Sequence, residues 1–318
     1  MISVLVPVYN TDAWLPDCLD SIAAQTWGNW EAVLVDDGSS DGSGEICDRF
    51  ASGDARFRVF HQESEGVAGA RNAALSAARG KYVFFVDADD CIHPRALELL
   101  HSAACSGPYR MASADYLKVT ERPEWESSMP EGGIGKRIVR GSDRARSCID
   151  RRYDITSVVV WNKLMERSLI GDITFHDIAQ EDALFMYRIY LELDAFIHLD
   201  YPLYAYMDRR GSLSETKDYL GKKSDMVLSD YLFRYASGDA RLEACILTKA
   251  FRRYLTSRYH CKDGSMKKEQ DDIYRPFFRQ YTRAYYTNKE IPFREKLVFS
   301  VLYLNPWAVR FFMKLTGN

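Results

Sequence analysis

Tyr82-Val83-Phe84-Phe85-Val86-Asp87-Ala88-Asp89-Asp90 is the stretch on which the reading of this chain turns. Five apolar residues without polar alternation predict a strand buried on both faces, the habit of parallel sheets. Three carboxylates then crowd into the next four residues. In open parallel sheets ligands bind beyond the carboxyl ends of the strands. Clustered acids would repel a phosphate-bearing ligand unless a divalent cation lay between them. An Asp-x-Asp at a strand end therefore points to Mg2+ or Mn2+ bridging carboxylate and phosphate oxygens.

Upstream, the same alternation of buried strand and helix repeats. Ile2 to Val8 is a near-continuous β-branched run, and Trp14, Leu15, Cys18, Leu19 and Ile22 follow at helical spacing. Ala32 to Val35 predicts a second buried strand, closing on the turn-forming Asp36-Asp37-Gly38-Ser39-Ser40-Asp41-Gly42. A short helix around Ile46, Cys47 and Phe50, a strand over Phe57 to Phe60 and an Ala-rich helix over Ala70 to Ala78 complete the run. Strands separated by helices imply βαβ units and a mostly parallel sheet. Pro7, Val8, Tyr9 and Asn10 follow the first strand where a dinucleotide-binding protein carries G-x-G-x-x-G, which disfavours a redox enzyme.

Beyond residue 115 the rhythm changes. Residues 121 to 137, rich in Glu, Pro, Gly and Ser, predict an irregular insertion. Val158 to Leu164 is apolar around Trp161, Glu181 to Leu193 predicts a helix, and from about residue 217 the pattern is helical. Across 318 residues, 47% hydrophobic and 27% charged residues exclude a disordered or fibrous chain. The net charge of −3 gives no global basic field for nucleic acid. It is uneven, however: residues 251 to 318 carry a local net of +8. Seven cysteines at scattered positions, none in a C-x-x-C pair, argue against a disulfide framework or a zinc site and suit a reducing cytosol. Met1-Ile2-Ser3-Val4 lacks the basic start of a signal peptide, and no apolar run approaches the roughly 20 residues of a membrane span.

Five blocks, in order, resemble family 2 glycosyltransferases of the GT-A fold. They are Ser3 to Asn10, Leu19 to Ile22 with Gln25-Thr26, Val35 to Asp41, Gly66 to Asn72, and Phe85 to Asp90. The resemblance continues more weakly through Trp161 to Leu164, Gln180-Glu181-Asp182 and Pro202 to Tyr206, and ends at Arg210-Gly211-Ser212. It implies a Rossmann-like α/β domain over residues 1 to 215, with residues 216 to 318 as a helical C-terminal extension. It also implies inverting transfer from a UDP-sugar to a hydroxyl of a glycan or lipid-linked oligosaccharide, in assembly of a bacterial surface polysaccharide. By motif, Pro7 and Tyr9 would frame the base and Asp37 would bond the uracil edge. Arg71 would lie near the nucleotide, Asp87 would hold the ribose with Ala88 beside it, and Asp89 would ligate Mn2+ or Mg2+. Asp182 would be the catalytic base. Arg210 and Ser212 would close a loop over the pyrophosphate.

Each residue also has a structural reading. Asp36 and Asp37 suit a turn before glycine, Asp90 suits a helix cap or a supporting role, and Glu181 with Asp182 would complement a helix dipole. His176 and His198 read as structural or solvated, and Trp14, Trp27 and Trp30 as packing residues. The rival functions are a nucleotidyltransferase, which would need a Gly-rich basic loop after the first strand, and a non-catalytic glycan-binding protein. In the tail, Phe293, Leu297, Val301, Leu304, Ala308, Phe311 and Leu315 form a helical apolar stripe that Pro306 should divide. Basic residues flank it, which suits lying on an anionic membrane surface, on the cytoplasmic face of the inner membrane; a packed helix or a dimer contact is the alternative.

Overall fold

The structure is a computed structural model describing residues 1–125, 133–149, 155–178, 180–208, 220–236, 238–260 and 264–304. The chain forms two compact units. The first holds the strands in this order: β1 (Ile2–Val8), β2 (Trp30–Asp36), β3 (Phe57–His61), β4 (Tyr82–Phe85), β5 (Cys91–Ile92), β6 (Met111–Val119), β7 (Gly135–Arg140), β8 (Lys163–Glu166) and β9 (Ala195–Met207). Between them lie α1 (Leu15–Ala23), α2 (Ser43–Gly53), α3 (Gly66–Ala77), α4 (Ala96–Ala104), α5 (Gly141–Ile149), α6 (Arg167–Ile170) and α7 (Glu181–Leu191).

Among the described residues these strands make one sheet in the order β3-β2-β1-β4-β8-β6-β9-β5, with β7 also pairing β9 on the edge opposite β6. The β-branched run of β1 takes the centre of the first half. It pairs in parallel with β2 (Val4↔Ala32) and with β4 (Ile2↔Tyr82), and β3 joins β2 in parallel. This is the βαβ half that the alternation predicted. Beyond β4 the sheet is mixed: β8 runs antiparallel to both β4 and β6, while β6 and β9 are parallel. Residues 135 to 137, expected in an irregular insertion, open a strand along β9 (Gly135↔Asp200).

The alternate residues Val4, Val6, Ala32, Leu34 and Phe84 are fully buried under α1, α2 and α4 with Leu19, Ile22, Leu97 and Leu100. Each such side chain contributes about 1.5–3 kcal/mol of hydrophobic free energy relative to exposure. On the opposite face, Phe85 packs edge-on against Phe175 and Phe185, which stack at 4.0 Å. Trp30 is buried against Phe57, as a packing residue should be.

The second unit contains α8 (Leu220–Tyr235), α9 (Ala240–His260), α10 (Gly264–Thr287) and α11 (Phe293–Leu304). Its core is aromatic: Phe251, Tyr254, Phe278, Tyr285 and Phe299 are buried together, with Phe251 and Tyr285 stacked at 4.1 Å. Two residues of the expected apolar stripe are exposed. Phe293 and Leu297 are 79% and 52% exposed, and Phe299, off that stripe, carries the packing. Ala308, Phe311, Leu315 and Pro306 lie outside the described residues. No helix among the described residues is long and apolar enough to cross a membrane.

Candidate active site

The site is built at the end of β4. Asp90 is buried, and its carboxylate accepts a hydrogen bond from the Tyr204 hydroxyl at 2.6 Å and from the Met207 amide at 2.7 Å. The same Tyr204 oxygen accepts from the Asp87 amide at 3.1 Å. One phenol thus ties the acidic loop to β9. Burial, reinforced by the charges of Asp87 and Asp89, pushes the Asp90 carboxyl well above the usual range. Asp90 therefore supports the loop from beneath. The helix-cap reading is corrected, because α4 starts at Ala96 without a side-chain cap.

Arg71 projects from α3 and is buried, not a surface arginine. It donates to Asp87 Oδ1 at 3.0 Å and to Glu181 Oε1 at 2.5 Å. Desolvation works against its charge, but Asp87, Glu181 and Asp182 outweigh it and hold the guanidinium firmly protonated. Its neighbour Asn72 makes a reciprocal pair with the backbone of Phe175, donating to the carbonyl at 2.9 Å and accepting from the amide at 2.8 Å. Adjacent residues of one helix thus fix both the strand-end acids and the approach to α7.

Glu181 and Asp182 open α7. Asp182 Oδ1 accepts from the Ala183 amide at 2.7 Å. Desolvation and the adjoining Glu181 carboxylate push the Asp182 carboxyl up to about 7, against the pull of Arg71. A carboxyl tuned to neutrality can hold and release a proton under working conditions. The structure thus brings Arg71, Asp87, Glu181 and Asp182 into one electrostatic cluster.

Asp37 is buried where β2 ends. Its two oxygens accept four hydrogen bonds, from Gln62 Nε2 (2.6 Å), Ser64 Oγ (3.1 Å) and the amides of Glu65 and Gly66 (both 2.9 Å). That is the full acceptor capacity of a carboxylate. A base edge would reach it only by exchanging one of these donors. Gly38 and Gly66, with φ of 74° and 77°, allow the two chain segments to close around it. Tyr9 beyond β1 is 55% exposed, and Pro7 is half-buried. Ala88 is buried, and Asp89 is half-buried. Arg210 and Ser212 lie outside the described residues.

The acids after β4 offer hard oxygen donors at high local negative charge, and Arg71 pairs with Asp87. This donor chemistry fits Mg2+ or Mn2+ at Asp89. Sequence reasoning missed the supporting residues. Tyr204 and Asn72 stood inside quoted motifs without a role. Lys163 is fully buried, with Nζ donating to the Val159 carbonyl and to Asn162 Oδ1, both at 2.8 Å. A lysine inside an apolar run was the signal available for it.

The glycosyl transferase family 2 model matches residues 3–168. The chain is similar to glycosyltransferase GlyG of Streptococcus pneumoniae serotype 4, 32% identical over 241 residues, which is 71% of this chain and 77% of that protein. It is similar to GlyA of the same organism, 35% identical over 226 residues, 67% of this chain but 31% of that much longer protein. Its fold resembles S. aureus TarS 1–349 in complex with UDP-GlcNAc, at a TM-score of 0.65 and 20% identity, covering 95% of this chain and 91% of that one. It also resembles glucosyl-3-phosphoglycerate synthase from Mycobacterium tuberculosis bound to Mn2+, UDP and glucosyl-3-phosphoglycerate, at 0.50 and 20% identity, over 74% and 79% of the two chains. With three of the five motif blocks on one parallel half-sheet, the other two on its helices α1 and α3, and acids at its carboxyl edge, the chain belongs to glycosyl transferase family 2 and is a glycosyltransferase of the GT-A fold.

Proposed function

We propose that the protein transfers a sugar, with inversion, from a UDP-sugar to a hydroxyl of a glycan or lipid-linked glycan during cell-surface polysaccharide assembly. The observation that carries this reading is Asp182, a carboxyl at the mouth of α7 pushed up to about 7 beside Glu181. Inversion needs one in-line displacement, hence one base to take the acceptor proton and no covalent intermediate. Asp182 is that base in this reading. Arg71 holds Glu181 and Asp87 in register with it. The uridine donor is supported by the similarity to TarS, described with UDP-GlcNAc, and to the synthase described with UDP.

Pro7 and Tyr9 would flank the base, Asp37 would shape the wall that receives it, and Asp87 with Ala88 would face the ribose. Asp89 would hold a divalent cation, which supplies neutralisation of the diphosphate's growing charge. Arg210 and Ser212 would cover the pyrophosphate. In this proposal residues 1–215 make the transferase domain and 216–318 an extension. Phe293 and Leu297, exposed among basic residues, would rest on the cytoplasmic face of an anionic membrane.

The test is a panel of UDP- and GDP-sugars with Mn2+, scored by donor hydrolysis and by product stereochemistry from anomeric proton coupling. Turnover of a UDP-sugar to a product of inverted configuration is expected. A retained configuration would remove the single-base mechanism.

A further inference from the structure

The geometry points to a transition-metal site at Asp115, His198 and Asp200, on the outer half of the sheet and separate from the acids after β4. Three strands build it. Ser113 and Asp115 of β6 and His198 and Asp200 of β9 are each two residues apart, so each pair shares a face; Ser113 pairs with His198 and Arg137 of β7 pairs with His198 from the other side. A register shift at Asp115 turns its carboxylate toward the imidazole.

The His198 ring is buried, with 1% of its side chain exposed, and its orientation is fixed because Nδ1 lies 2.8 Å from Ser113 Oγ. Its other nitrogen, Nε2, faces two carboxylates. Asp115 Oδ1 is 3.1 Å away and Asp200 Oδ1 3.9 Å. The imidazole can offer one proton there, and the longer distance is not a hydrogen bond. A metal bonded to each donor at about 2.1 Å in tetrahedral geometry separates the donors by about 3.4 Å, and the two observed distances bracket that value. All three ligand atoms lie within 4.8 Å of one another. Asp115 and Asp200 keep nearly half of their side-chain surface in solvent, leaving an entry path and open positions for water. Ser113 is the outer partner that a ligating imidazole requires.

The donor set of one imidazole nitrogen and two carboxylate oxygens suits Zn2+, with Co2+ as its spectroscopic stand-in, better than Mg2+. Arg137 Nε donates to Asp200 Oδ1 at 2.8 Å and is the competing cation. Metal entry moves Arg137 off that oxygen. The expectation that His198 is structural or solvated is corrected in one part: it is buried, not solvated.

The test is calorimetric titration of the full chain with Zn2+ in excess Mg2+, which occupies oxygen-only sites. A Cys105→Ser background removes the exposed thiol beside His101. One Zn2+ per chain is expected, weakened 10-fold or more by Asp200→Asn and by His198→Gln, and tightened several-fold by Arg137→Gln. Co2+ should give visible bands that the Asp200→Asn variant lacks. Asp200 is exposed, so that variant should fold even if the buried His198→Gln change does not. Unaltered Zn2+ affinity in Asp200→Asn and Asp115→Asn, or no Zn2+ uptake by the parent chain at 100 μM, would overturn the proposal.

Discussion

Arg71 and Glu181, 110 residues apart in sequence, meet at 2.5 Å, and the same guanidinium reaches Asp87 at 3.0 Å. One buried cation therefore holds the strand-end loop and the start of α7 in a single electrostatic unit. Arg71→Met removes the charge while keeping much of the bulk. It should destabilise the fold by about 2–3 kcal/mol, because partly buried carboxylates lose their buried counter-ion. It should also raise the Asp182 carboxyl further, since Arg71 is what lowers it. Urea denaturation and the pH–rate profile measure the two effects. An unshifted acid limb would show that Arg71 does not act on Asp182.

Asp182 must be deprotonated to accept a proton. With its carboxyl at about 7, kcat should rise about tenfold per pH unit below neutrality and level off above it. Asp182→Asn should lower transfer about 100-fold or more. The sign for stability is opposite. The folded-state carboxyl is raised above its unfolded value of about 3.9, so the folded form binds the proton more tightly and stability falls as pH rises from about 4 to about 7. Asp182→Asn should abolish that fall and gain on the order of 1 kcal/mol at pH 8, measured by thermal unfolding across pH. A variant that stayed active and gained no stability would place the base elsewhere.

Tyr204→Phe removes one oxygen. It leaves the Asp87 amide without that acceptor and Asp90 Oδ2 without the phenol donor, while the Met207 amide still donates to Asp90 Oδ1. A cost of about 1–3 kcal/mol is expected, together with a weaker grip on donor nucleotide, because the acidic loop after β4 loses its tether. Asp89→Asn should leave stability nearly unchanged and abolish Mn2+-dependent transfer, with EDTA inactivating the parent enzyme reversibly. Full activity in EDTA would exclude the metal role.

Asp37→Asn exchanges an acceptor oxygen for a donor group opposite donors. The segment from Gln62 to Gly66 should lose amide-exchange protection, and UDP affinity should fall about tenfold, roughly 1.4 kcal/mol. Lost protection with unchanged UDP binding would confine Asp37 to a structural role.

Phe293→Ser with Leu297→Ser tests the membrane proposal without touching the aromatic core that Phe299 enters. Co-sedimentation with anionic liposomes should drop several-fold while the melting temperature holds. Equal binding by parent and variant would remove the membrane role.

The parallel half of the sheet was legible because its signal is local. An unbroken run such as Ile2–Val8 admits few readings once later runs of the same kind end in acids, as at Asp36-Asp37 and Asp87-Ala88-Asp89. The mixed half was less so. Strands such as β7 are exposed and polar, and what makes them strands is the edge of β9, which no window of sequence contains. In the candidate site, Asp87, Asp89 and Asp182 could be named from motifs. Arg71 could be named too, but the pairings that set their chemistry could not, since Tyr204 lies 114 residues from Asp90 and Arg71 lies 110 from Glu181. His198 shows the same limit: its neighbour in sequence, two positions on, was visible, but Asp115 arrives by strand pairing 83 residues away.

β9 carries β6 along one edge and β7 along the other, and the chain between those two strands starts and ends on that outer half of the sheet. The strands that bear Asp37 and Asp87 share no backbone pairing with either end of it. Grafting a different segment between Val119 and Gly135 would leave the backbone register of β1, β2 and β4 untouched, at the cost of side-chain contacts such as Arg122 with Asp17 and Trp125 with His93. The architecture is modular at this point: the connection between β6 and β7 can differ in length and composition while the parallel half keeps its backbone register.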